Sequence, residues 1–122
     1  MTDQAPASPS RVLIVVSANP RTSGRLAEAI RIAAGVSAWQ KVAVTLYVGG
    51  DALQGLLPGD GLFVDEDNIV DFLPTLCERR QGVYLEQGHP LVESNRDRLS
   101  FPEIDAGGLA RLAAGHDYVM RF

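Results

Sequence analysis

The sequence predicts a three-layer α/β domain built on a mostly parallel sheet, and three observations carry that reading. Residues 12–16, Val-Leu-Ile-Val-Val, are five consecutive branched aliphatics. That run is too short to span a membrane and lacks the alternation of a half-exposed strand, so it reads as a strand covered on both faces. Beyond a polar turn, Leu26, Ala29, Ile30, Ala33 and Ala34 recur at i, i+3, i+4, i+7 and i+8, which is one face of a helix. Strand-like and helix-like stretches then alternate to the end in the order β-α-β-α-α-β-α-α-β, with no hairpin signal of the Asn-Gly kind. At 122 residues, 46% hydrophobic and 21% charged, the chain suits one such domain, residues 11–122. Residues 1–10, with Pro6, Pro9 and small polar side chains, read as a disordered lead.

Each element has its own local reason. Residues 35–40 close the first helix, and Trp39 in that stretch reads as an anchor at the edge of the core. Residues 41–48 alternate, with Val42, Val44, Leu46 and Val48 on one face and Ala43, Thr45 and Tyr47 on the other, as a second strand should. Gly49-Gly50-Asp51 stops that strand, with Asp51 expected to cap a short helix over residues 52–57 that Pro58-Gly59 ends. The acidic cluster of Asp60, Asp65, Glu66 and Asp67 lacks the ligand spacing of a calcium loop and reads as favourable charge at the next helix N-terminus. That helix buries Ile69, Phe72, Leu73 and Leu76, is broken or kinked by Pro74, and closes at Cys77, Arg79 and Arg80. Residues 83–85 give a third strand, 91–98 a short helix, 101–108 an irregular stretch, 109–114 a last helix and 117–122 a final strand.

Composition narrows the function classes. A net charge of −4 with 11 scattered Lys and Arg offers no basic stripe for phosphates, so no direct nucleic-acid contact is expected. One cysteine excludes an internal disulfide. No apolar run approaches the about 18 residues of a membrane helix, and no charged segment leads into a secretory apolar core. A cytoplasmic protein with no membrane partner is the expectation.

Candidate ligand-facing residues gather at the strand-to-helix turns, because parallel sheets keep their ligands outside the carboxyl ends of the strands. The first turn offers Asn19, Arg21, Thr22, Ser23 and Arg25, the second Gly49, Gly50 and Asp51, and the third Gly88 and His89, the last with Glu86 or Glu93 as a charged neighbour. His116 reads as a turn residue near a helix end. Neither histidine has a partner at metal-ligand spacing, so no metal site is expected. The Asn19–Arg25 turn also supports a second reading, a phosphate-binding loop of a flavodoxin-like flavin or nucleotide protein. Its spacing is neither Walker A nor GxGxxG.

The order of features resembles a family. The Val-Leu-Ile-Val-Val-Ser strand, the polar turn, the Ala- and Ile-rich helix, the strand running into Gly50-Asp51-Ala52, the Gly82-Val83-Tyr84-Leu85 strand and a terminal strand ending in Phe122 together resemble the DsrE/TusD-like sulfur-relay proteins. The resemblance covers residues 11–122. It implies a small Rossmann-type domain that assembles into homo- or hetero-oligomers, trimers or hexamers, with sulfur-carrier proteins as partners and no cofactor. It also implies that active members carry persulfide sulfur on a cysteine just past the third strand. Aligning Gly82-Val83-Tyr84-Leu85 with the family's Gly-Val-x-Leu puts that position at Gly88, where there is no thiol. Cys77 lies earlier, near a helix C-terminus that raises a thiol pKa, and reads as a buried or half-buried structural residue rather than a sulfur carrier. The expectation is therefore a non-catalytic or accessory subunit of intracellular sulfur trafficking.

Overall fold

The computed structural model describes residues 10–36, 42–57, 61–79 and 82–122. Five strands, β1 (Ser10–Val16), β2 (Val42–Val48), β3 (Val83–Glu86), β4 (Glu103–Ile104) and β5 (Tyr118–Arg121), form one sheet in the order β4-β3-β2-β1-β5. All four pairings are parallel. Four α-helices accompany them: α1 (Arg25–Val36), α2 (Glu66–Arg79), α3 (Pro90–Ser94) and α4 (Ala106–Ala114). A 3-10 turn spans Gly50–Leu56. The predicted α/β class and single parallel sheet are what the chain adopts.

Alternation along the strands divides the core into two layers. Ile14, Val16, Val44, Leu46, Val48, Val83 and Leu85 face one way and pack with Leu26, Ala29, Ile30 and Ala33 of α1 and with Ile69 and Leu76 of α2. Leu13, Val15 and Tyr47 face the other way, under Leu109, Leu112 and Ala113 of α4. β1 is therefore covered on both faces, as its unbroken apolar run requires. The layers differ in depth: α1 contributes six buried residues, whereas α4 has none. Gly55 sets the approach of the 3-10 turn to α1, since a Cβ there would stand 2.1 Å from Cδ2 of fully buried Leu26.

Several local expectations are corrected. The segment after β2 is a 3-10 turn with Gly49 at its N-cap, and Asp51 falls inside the first turn rather than capping it. Pro74 does not break α2, which runs through it to Arg79. The helix expected over residues 91–98 is the single short stretch Pro90–Ser94. The stretch expected to be irregular contains β4, and α4 begins at Ala106, ahead of Gly107-Gly108, because the Asp105 side chain accepts the Gly108 N–H at 2.7 Å. Ser10, placed in the lead, opens β1. Cys77 is exposed, not buried: Leu76 takes the inward position on α2 and its neighbour turns outward. Residues 1–9, Trp39, Lys41, Pro58, Gly59, Asp60 and Arg80 lie outside the described residues. Among the described residues no helix is long and apolar enough to cross a membrane.

Candidate functional site

The turns after β1, β2 and β3 meet along the carboxyl edge of the sheet, where ligands of parallel sheets usually sit. Several of their backbone groups are already engaged. In the first turn the Asn19 carbonyl accepts the Thr22 and Ser23 N–H groups at 3.2 and 3.0 Å, and the Asn19 side chain accepts the Arg21 N–H at 2.9 Å. Ser23 Oγ accepts the Arg25 N–H at 3.2 Å. A phosphate-binding loop needs such N–H groups aimed outward at the anion. Here Asn19 and Ser23 fold the turn onto itself. The Arg21 guanidinium lies over the Phe63 ring, 5.2 Å from its centroid, and its Nε donates to Gln54 at 3.4 Å, so this cation leans toward the 3-10 turn.

At the second turn the structure joins residues that the sequence keeps apart. Glu86, at the end of β3, accepts the Gly50 N–H through Oε1 at 2.8 Å. The carboxylate thus satisfies the first amide of the 3-10 turn. Such a charge-assisted bond contributes about 1.5–3 kcal/mol. The Tyr47 ring closes the same corner: a Cβ on Gly49 would stand 3.0 Å from both Glu86 Oε1 and Tyr47 Cε1. Burial, and then the negative charge of Glu86, push the Tyr47 phenol above its ordinary pKa. Glu86 was expected beside His89, and Tyr47 was expected only as a face-filling residue. Neither residue's spacing in the sequence announces that they meet.

At the third turn His89 serves as the N-cap of α3, where its Nδ1 accepts the Leu91 N–H at 3.1 Å. That bond fixes the ring with its acceptor nitrogen inward. Glu93, the other carboxylate expected near His89, pairs with Arg96 at 3.0 Å. Gly88 is exposed at φ +83°, and nothing lies within 4 Å of where its Cβ would stand. The position is therefore open to solvent but held in a backbone conformation that an L side chain adopts only at a cost. His116 ties the end of α4 to β2: Nδ1 donates to the Leu112 carbonyl at 2.6 Å, and Nε2 lies 2.9 Å from Thr45 Oγ1.

Cys77 stands apart from this edge. It lines an apolar cavity of about 550 Å³ between the 3-10 turn and α2, shared with Leu57, Phe63, Val70 and Leu73. No group of three or more His, Cys, Asp or Glu residues among the described residues is placed to hold a metal ion. The edge thus brings together Gly49, Gly50, Tyr47 and Glu86 and leaves Arg21 facing Phe63.

Comparison with known proteins gives a fold likeness. No family model matches the sequence, and no curated protein matches it. Among solved structures, the YchN protein of E. coli superimposes with a TM-score of 0.65 at 23% identity, over 93% of this chain and 99% of that one. The two chains share the α/β fold across nearly their whole lengths.

Proposed function

We propose that this chain is a DsrE-like protein of sulfur trafficking that acts as a non-catalytic, accessory subunit of an oligomer. Gly88 is the observation that carries the reading: at the position where the resembling family keeps its sulfur-carrying cysteine, this chain has a glycine held at φ +83°. A cysteine at that place would hold the left-handed backbone at a cost of about 1–2 kcal/mol. The fold shared with YchN and the order of motifs from residue 11 to residue 122 support the family placement. The role left to the carboxyl edge is recognition, through a surface formed by the Asn19 turn, Gly49 to Asp51, and Gly88-His89. Against the flavin or nucleotide reading, the amides at Arg21, Thr22, Ser23 and Arg25 are bonded within the turn.

Native mass spectrometry of the freshly purified chain tests this. An oligomer whose mass is a multiple of the 13.1 kDa chain, carrying no additional group, is the expected result. A retained flavin or nucleotide would overturn it and return attention to the Asn19 turn.

A further inference from the structure

The apolar cavity between the 3-10 turn and α2 follows one stripe of the helix. Glu66, Ile69, Val70, Leu73, Cys77 and Glu78 line it, at i, i+3, i+4, i+7, i+11 and i+12. At 1.5 Å of rise per residue the stripe runs about 18 Å from one glutamate to the other. Leu56 and Leu57 form the facing wall, and Phe63 stands at the Glu66 end, where its N–H donates to Glu66 Oε1 at 3.4 Å. A volume of about 550 Å³ spread over that length gives a cross-section of about 30 Å², well under that of a helix about 10 Å across. The groove has room for a single linear chain and not for a helix.

Its polar groups sit at the two ends and at one point between. Both charged side chains among the described lining residues are carboxylates, Glu66 half-buried and Glu78 exposed. Arg21 stacks on Phe63 but does not line the cavity. Pro74, also in this wall, has no N–H, so the Val70 carbonyl lacks the donor that residue i+4 of a helix supplies. The wall thus offers three acceptors in line, a carboxylate, a carbonyl and a carboxylate, with apolar side chains among them. Two like charges at the ends repel an anionic chain such as a fatty acid.

We propose that this groove binds a linear aliphatic polyamine, with its terminal ammonium groups on Glu66 and Glu78, an internal ammonium at the Val70 carbonyl, and its methylene segments along Leu57, Ile69 and Leu73. An ammonium carries donors and no acceptor, which matches a wall whose polar groups only accept. A neutral alkyl chain would leave both carboxylates without a partner, and a diamine lacking internal nitrogens would leave the carbonyl without one. Val70, 63% exposed in the middle of the wall, is covered when the chain lies in place. The site uses none of the residues of the carboxyl edge and stands whether or not the protein serves sulfur trafficking.

Isothermal titration calorimetry of the full chain at low ionic strength, with spermine as the probe, tests it. Saturable binding of one spermine per chain is expected, and a diaminoalkane of the same chain length without internal nitrogens should bind about threefold more weakly or worse. Glu66→Gln and Glu78→Gln should each weaken spermine binding about threefold, with circular dichroism confirming that the variants are folded. Asp97→Asn, which removes an equal charge from an exposed residue that does not line the groove, should leave it unchanged. Bound spermine should also slow alkylation of Cys77 by iodoacetamide in proportion to occupancy, because that thiol lines the groove. The absence of saturable binding would overturn the proposal. So would equal binding of the diaminoalkane, a folded Glu66→Gln or Glu78→Gln that binds as tightly as the parent, equal weakening by Asp97→Asn, or an alkylation rate that spermine leaves unchanged.

Discussion

Replacing Gly88 with alanine separates backbone constraint from contact. Nothing lies within 4 Å of the position a Cβ would take, so no side-chain collision enters and the whole effect comes from φ +83°. Holding an L residue in that region costs about 1–2 kcal/mol, partly offset by the narrower unfolded ensemble of alanine. A net loss near 1 kcal/mol is expected, which lowers the melting temperature by about 3–6 °C in a chain of this size. Gly35 is the internal control. It also has open space around it, but it lies in α1 with no left-handed φ, so Gly35→Ala should stabilise by up to about 1 kcal/mol. The assay is urea denaturation followed by circular dichroism, both variants against the parent chain. A Gly88→Ala protein as stable as the parent would refute the reasoning, because the loop would then accommodate a side chain and the missing thiol would have no conformational basis.

Other consequences follow from the same geometry. Glu86→Ala leaves the part-buried Gly50 N–H without its acceptor and should cost about 1–3 kcal/mol, with Glu86→Gln restoring part of the loss in the same denaturation assay. Ultraviolet titration of Tyr47 in Glu86→Gln should show its pKa moving back toward the ordinary value but not reaching it, because burial is the larger cause and remains. The sign for stability follows from that raised folded-state pKa: the contribution of neutral Tyr47 is complete below the unfolded value of about 10 and disappears as pH rises through the folded value. His89→Ala should lose about 1 kcal/mol of capping while His89→Asn keeps most of it, read by thermal melts. Cys77, being exposed, should react with a thiol reagent in the folded protein without denaturant.

The core was legible because its signals are periodic. The run at residues 12–16, the i, i+3, i+4 face of α1 and the alternation of β2 each state their own burial, and Leu13, Ile14, Leu26, Ile30 and Leu46 are all buried. β4 was missed because two residues show no period, and it exists through the parallel bonds by which the Leu85 and Gln87 N–H groups donate to the Pro102 and Ile104 carbonyls. α4 began early because a single capping bond from Asp105 outweighs the poor helix propensity of Gly107-Gly108. At the carboxyl edge the candidate turns were named correctly as turns, but their internal bonding was not. The Glu86 bond to Gly50 joins residues 36 apart. Long-range pairing of this kind follows from strand order and leaves no local pattern. Leu76 was legible on the inward face of α2, whereas Cys77, read as buried or half-buried beside it, turns outward.

Single-turnover sulfur transfer tests the central claim most directly: the chain is loaded by a cysteine desulfurase supplied with cysteine, then mixed with an acceptor thiol protein, and intact mass is read on both partners. The account predicts that any sulfur taken up resides on Cys77, is absent in Cys77→Ser, and is not handed on to the acceptor. Onward transfer by the parent chain, lost in Cys77→Ser, would contradict it and make the exposed thiol of α2 a working carrier.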